Sequence, residues 1–239
     1  MKETIKTSTG VLQKITLTQK QLCDLELILD GSFKPLKGFL TQKDYSSVID
    51  KMRLSDGSLW PIPITLDLSE ETIRLIENEK TLELRDQEGF LIALMNIEDI
   101  WKPDKKEEAL KVFGTTNAEH PGVSQLYNTN EYYAGGALKK IGSVTHHDFK
   151  DLRLSPSEVI NKIKALSNKK TIAFQTRNPI HRAHQELMLR SMKEIDANIL
   201  IHPVVGITKP GDFNHYTRVN CYKKILPYFP KNSTLLSLI

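Results

Sequence analysis

Cysteine is scarce in this chain. Only Cys23 and Cys221 occur in 239 residues, far apart and without CxxC spacing. That excludes a disulfide framework and any metal site built from cysteines, and two reduced thiols in a cytosolic protein are expected. Cys23 sits among Leu22, Leu25 and Leu27, where packing is its expected role. Long apolar runs are also missing. The longest largely apolar stretch, Gly89 to Ile97, is far short of the ~20 residues that span a bilayer. Met1 to Gly10 mixes charged residues with threonines, and no apolar segment follows, so no targeting signal is expected there. Neither sign of charge dominates. The chain carries 33 basic and 29 acidic residues, a net +4, which tolerates an anionic ligand but does not point to nucleic acid. Internal repeats and low-complexity tracts are absent.

What is present is an ordinary globular composition, 39% hydrophobic and 26% charged. The length suits one or two domains at roughly 150 residues each. To about Asp148 the chain reads as strands and turns with short helices, Gln19 to Leu29 and Gln42 to Met52. Ile62, Ile64, Leu66 and Leu68 alternate as in a half-buried strand. Thr81 to Arg85 and Phe90 to Leu94 flank the turn segment Asp86-Gln87-Glu88-Gly89, a hairpin signal. Gly135-Gly136 and Gly142 read as further turns.

The texture changes after Leu154. Ser155-Pro156-Ser157-Glu158 predicts a helix start, with a serine cap, proline in the first position and an acidic first turn, and the helix runs to about Leu166. A strand at Lys170 to Gln175 follows, then a helix from Pro179 to about Ile195. A strand at Asn198 to Val205, a helix at His215 to Leu226 and a strand at Ser233 to Ile239 complete the alternation. Strands alternating with helices argue a parallel α/β sheet. The expected domains are 1–152 and 153–239.

The segment Gln175-Thr176-Arg177-Asn178-Pro179-Ile180-His181-Arg182-Ala183-His184 carries the chemistry. It follows the carboxyl end of a parallel strand, where ligands bind in open α/β sheets. Asn178 can cap the next helix and Pro179 can occupy its first position. The free N–H groups and dipole of that first turn favour an anion. His181 and His184, three apart, share a face and can donate to phosphate oxygens. Ile180, Leu187, Ser191, Met192 and Ile195 mark the expected buried face. Arg177 offers a planar fork to a tetrahedral oxyanion, and Gln175 adds neutral donors. Such a group of donors suits phosphoryl or nucleotidyl transfer, which is mainly positioning and charge stabilisation.

Each residue alone has a bland explanation: two histidines three apart also occur on surfaces or as metal ligands, although no third ligand is evident nearby. Lys209, Asp212, His215 and Arg218 surround the second strand-to-helix loop and could line the same site. Asp212 reads more simply as a helix cap, and Lys209 is left open. His146-His147-Asp148 reads as a solvated turn, His120 as structural, Trp60 and Trp101 as packing residues. Lys105-Lys106-Glu107-Glu108 reads as a solvated helix face.

Gln175 to His184 resembles the signature of the ATP sulfurylase family, its HxxH being that family's form of the HxGH motif of nucleotidyltransferases. Leu22 to Glu26 with Gly31 to Leu40, Leu59 to Asp67, Glu119 to Val123, and His202 to Gly206 with Thr208 to Asp212 resemble further blocks, in order along the chain. The resemblance implies an α/β protein, α+β overall. A PUA-like, mostly-β N-terminal domain precedes a Rossmann-like nucleotidyltransferase domain, incomplete at its C-terminus. It implies the reaction of sulfate with MgATP to give adenosine 5′-phosphosulfate and pyrophosphate, with magnesium as the only metal and no tightly bound cofactor. It assigns sulfate to Gln175 and Arg177, transition-state stabilisation to Thr176, Arg177 and Asn178, and ATP to Gln175, Asn178, His181 and His184. The expected setting is cytoplasmic, without membrane or nucleic-acid partners, and compatible with a homo-oligomer.

One family element has no counterpart here. No GRDHAG-type segment occurs, and the one Arg-Asp pair, Arg85-Asp86, lies in the hairpin. The expectation is therefore a C-terminally truncated chain of weak or no turnover. Two alternatives stand beside the leading reading: a nucleotidyltransferase using another acceptor, and a non-catalytic module that binds nucleotide, sulfate or RNA. Dispersed lysines argue against the RNA version.

Overall fold

The computed structural model describes residues 12–167, 169–206 and 211–239; the reading of Met1 to Gly10 and that of Lys209 fall outside the described residues. The chain divides into two compact units, Met1–Val144 and Thr145–Ile239.

In the first unit the elements run β1 (Gln13–Thr16), α1 (Gln19–Leu29), β2 (Gly38–Phe39), α2 (Gln42–Lys51), β3 (Leu66–Leu68), α3 (Glu70–Ile76), β4 (Thr81–Arg85), β5 (Leu91–Trp101), α4 (Lys105–Phe113), α5 (Pro121–Tyr127) and β6 (Tyr132–Lys140). They form a six-stranded sheet in the order β1-β4-β5-β6-β2, with β3 also pairing β6. The β1–β4 pair is parallel and the others antiparallel. Local chemistry accounts for the boundaries. Thr18 closes a capping box with Gln21 at the start of α1, two donors satisfied reciprocally. The Asp86 carboxylate accepts the N–H groups of Glu88 and Phe90, which folds the β4–β5 turn. Leu82, Leu84, Met95, Leu66 and Tyr133 then meet in one core with Leu25 of α1.

Three expectations are corrected in this unit. The strand expected over Ile62 to Leu68 is only Leu66–Leu68: Pro61 and Pro63 supply no ladder donors, and Ile62 is exposed. Gly135 and Gly136 are not turn residues but lie inside β6. A Cβ at Gly136 would stand 1.9 Å from the Asn96 carbonyl oxygen and one at Gly135 2.4 Å from that of Leu40, so backbone crowding, not chain reversal, requires glycine there. Finally, Glu108 is not on a solvated face. It is buried, and its Oε2 accepts the hydroxyls of Tyr45 (2.9 Å) and Tyr133 (3.1 Å). Burial pushes its carboxyl above the ordinary value, against the pull of those two bonds.

The second unit alternates α6 (Pro156–Leu166), β7 (Lys170–Phe174), α7 (Arg182–Glu194), β8 (Ala197–Ile201), α8 (His215–Ile225) and β9 (Thr234–Leu236). Its three strands are parallel in the order β7-β8-β9. Ser155 and Glu158 make the capping box that opens α6, with proline at its first turn. All five residues of β8 are buried, as the central strand of a covered parallel sheet requires. Met188 and Met192 of α7 and Val219 and Tyr222 of α8 pack with Ile199, Ile201 and Leu236 in its core. Phe149 and Leu152 pack against the same core. No helix among the described residues is long and apolar enough to cross a membrane.

Candidate functional site

The site is built on β7, the seven residues that follow it, and α7. Register with β8 continues past the strand: the His202 N–H reaches the Phe174 carbonyl and the Val204 N–H the Thr176 carbonyl, each at 2.9 Å. The backbone then turns. The Thr176 hydroxyl donates to the Asn178 carbonyl, and the Asn178 N–H donates back to that hydroxyl, both at 3.1 Å. This local ring competes with helix formation.

Helix α7 consequently starts later than Pro179. Its N-cap is His181, with extended backbone, and Arg182 is the first helical residue. Asn178 is not the cap, and Pro179 is not the first helical position. The physical reason is that the Asn178 carbonyl, which a capping residue would lend to the helix, accepts Thr176 and the Tyr222 hydroxyl instead. The shift also rotates the buried face. Met188 and Met192, four apart, are buried, whereas Leu187 and Ile195 are exposed.

Gln175, Thr176, Arg177, Asn178, His181 and His184 all fall between the carboxyl end of β7 and the first turn of α7. The rings of His181 and His184 lie 5.6 Å apart, and His184 also meets Phe174 at 5.7 Å. The His181 N–H donates to Nδ1 of His184 at 3.3 Å. That contact satisfies one of the free donors of the helix start. It also places the proton of neutral His184 on Nε2, leaving that atom as a donor. Gln175 and Asn178 are exposed.

Arg177 is paired with the Asp212 carboxylate. Asp212 is therefore not the cap of α8, a role that belongs to Asn214, whose Oδ1 accepts the Thr217 N–H at 2.9 Å. Arg218 does not line the site; it is 2% exposed and lies behind the loop. Asp148 is not in a solvated turn either. It accepts from Arg153 at 2.8 Å and pairs with Nε2 of His215 at 2.6 Å. Burial works against these bonds, but they hold its carboxyl below the usual range. No group of three or more His, Cys, Asp or Glu among the described residues is placed to hold a metal.

Sequence reasoning did not anticipate Tyr222, or the Asp212 partner of Arg177. One signal was available: an arginine and a tyrosine four apart on one face of α8, directly after the Thr208-to-Asp212 block.

Comparison with known proteins places these features in context. A PUA-like domain model matches residues 1–143, and an ATP-sulfurylase model matches 150–239. A sulfate adenylyltransferase of Gibberella zeae is 47% identical over 232 residues, covering 95% of this chain and 40% of that protein. One from Yarrowia lipolytica is equally similar, 47% over 232 residues. Among solved structures, the hexameric APS kinase from Thiobacillus denitrificans superposes with a TM-score of 0.76 at 30% identity, over 95% of this chain and 41% of that one. The chain thus spans about 40% of the length of the curated relatives it matches.

Proposed function

Because the chain belongs to the ATP-sulfurylase family and carries that family's PUA-like domain in its N-terminal part, we propose that it acts in sulfate adenylylation. A sulfate oxygen attacks the α-phosphorus of MgATP, the bond to the β-phosphate oxygen breaks, and adenosine 5′-phosphosulfate and pyrophosphate are formed. Magnesium enters with the nucleotide as part of the substrate.

The observation that carries this reading is the succession of donors between the carboxyl end of β7 and the first turn of α7: the Arg177 guanidinium, an exposed amide on either side of it in the chain, and two imidazoles 5.6 Å apart. In the proposal Gln175 and Arg177 hold sulfate, with the planar fork matching two of its oxygens. Gln175, Asn178, His181 and His184 bind the nucleotide. The His184 Nε2 proton is directed to phosphate by the bond its Nδ1 accepts. Thr176, Arg177 and Asn178 steady the pentavalent centre as negative charge builds on it. Sulfate is already deprotonated, so no general base is required. What the two anions need is alignment and screening from one another, and the fixed loop geometry supplies both.

The same proposal takes the unit to Val144 as the PUA-like domain and Thr145–Ile239 as the nucleotidyltransferase part, so the boundary expected at 152 moves to the break between the two units. It places the protein in the cytoplasm. A homo-oligomer fits it, given a structural relative that is described as hexameric.

The test is pyrophosphate release by the purified chain, measured with and without sulfate and with and without MgATP. From this chain, which carries no GRDHAG-type segment, weak or no release is expected; from a chain extended through such a segment, release that requires both is expected. Release that ignores sulfate would point to a different acceptor. No release with sulfate, selenate or molybdate, from a folded chain extended through a GRDHAG-type segment, would end the reading.

A further inference from the structure

Three consecutive carbonyls of the loop are held from behind. The Thr176 carbonyl accepts the Val204 N–H at 2.9 Å. The Arg177 carbonyl accepts from a terminal guanidinium nitrogen of Arg218 at 3.0 Å, and that nitrogen also donates to the Val204 carbonyl at 2.9 Å. The Asn178 carbonyl accepts the Tyr222 hydroxyl at 3.0 Å. Arg218 and Tyr222 stand one turn apart on α8, and both are buried, at 2% and 0% exposure.

Arg218 carries a second anomaly. Its Nε is buried without a hydrogen-bond partner among the described residues, and its bonds run to neutral carbonyls rather than to a carboxylate. Buried arginines are ordinarily paired with a counter-charge. Arg177, by contrast, already has Asp212. A buried guanidinium with an unsatisfied donor among the described residues therefore sits against the backbone of the residue assigned to sulfate.

We propose that Arg218 and Tyr222 are positioning residues of this site. Arg218 fixes the backbone of Arg177 and adds positive charge that the bound oxyanion balances, and Tyr222 fixes the backbone of Asn178. The inference rests on the proposed function, since it names what holds the residues assigned there.

The two ligand sites separate the roles. Binding of inorganic sulfate and of MgATP to the intact chain is measured by titration calorimetry, alongside the melting temperature without ligand. Arg177→Ala serves as the control for the reading itself. Arg218→Met keeps much of the side-chain volume but removes charge and donors. It is expected to weaken sulfate by about tenfold, because the oxyanion loses a nearby buried cation and Arg177 loses its backbone brace, with less effect on MgATP. Arg218→Lys restores charge and a donor, and recovers part of the loss. Tyr222→Phe removes one hydroxyl and is expected to weaken MgATP by about fivefold, the value of one hydrogen bond, with less effect on sulfate. If Arg218→Met does not fold, Arg218→Lys and Tyr222→Phe carry the test.

Parallel weakening of both ligands, tracking a lowered melting temperature, would reduce Arg218 and Tyr222 to a structural role and overturn the inference. So would variants that bind both ligands as the wild type does while Arg177→Ala has lost sulfate; in that case the site assignment survives. Absence of sulfate binding in the wild type, or binding untouched by Arg177→Ala, removes the site assignment and this inference with it.

Discussion

Glu108 offers a sharp test of the N-terminal unit, because one oxygen of a buried carboxyl serves two tyrosines. Both hydroxyls donate to Oε2, so an amide oxygen in the same position can accept both. Glu108→Gln is therefore expected to stay within about 1 kcal/mol of the wild type. Glu108→Ala instead leaves the Tyr45 hydroxyl without this acceptor and weakens the satisfaction of Tyr133, both in the core. At about 1–3 kcal/mol for an orphaned buried polar group, plus the space vacated, the cost is about 2–4 kcal/mol. That corresponds to a drop on the order of 10 °C in melting temperature. The pH dependence has a definite sign. The folded carboxyl titrates above its ordinary value because of burial. Its protonated form thus favours the fold, and the associated stability is present below about pH 4.3, the ordinary glutamate value, and lost as pH rises through the raised value. Glutamine does not titrate, so its stability relative to the wild type should rise with pH over that window and then level off. Thermal unfolding followed by fluorescence of Trp60 and Trp101, at a series of pH values, reads both effects. A Glu108→Gln variant as damaged as Glu108→Ala, or a difference that does not change with pH, would refute the reasoning.

Two further perturbations probe the second unit. His184→Ala removes the acceptor for the His181 N–H and should cost about 1 kcal/mol of stability, as other lost caps do, in addition to weakening MgATP. His184→Asn, which can still cap, should keep the stability but not the nucleotide affinity, and equal melting temperatures for His184→Ala and the wild type would contradict the capping role. Asp148→Asn weakens the bonds to Arg153 and His215 and should cost about 1–2 kcal/mol by denaturant unfolding. Because the folded carboxyl titrates below its ordinary value, that stability is present above about pH 3.9 and lost as pH falls through the lowered value. A cost unchanged across that acid range would count against the pairing.

The parts of the fold that were legible in the sequence are those fixed by neighbours along the chain. Ser155, Pro156 and Glu158 announce α6 through contacts made within four residues. The β4–β5 hairpin follows from alternation on both sides of a turn that Asp86 closes itself. The start of α7 was misplaced because Asn178-Pro179 satisfies the local rule for a helix entry equally well. What overrides that rule is Tyr222, more than forty positions away, which takes the Asn178 carbonyl. Glu108 was missed for the same reason. In the run Lys105 to Glu108 it looks like its charged neighbours, and only Tyr45 and Tyr133, brought in by α2 and β6, identify it as a core residue. The residues proposed for the site were legible as a group because they occupy one continuous segment, whereas the side chains that hold its backbone come from α8.

The close approach of β2, β5 and β6 has a consequence for how this chain can change over time. A Cβ on Gly38 would meet the Gly136 carbonyl oxygen at 1.9 Å, and one on Gly136 would meet the Asn96 carbonyl oxygen at the same distance. In each case the obstacle is main chain. A clash between two side chains can be relieved by trimming the partner, but no substitution trims a peptide group. Gly38 and Gly136 therefore have no compensating second site. Drift in this sheet must pass through neighbouring positions, and the three backbones must keep their spacing in any descendant that still folds this way.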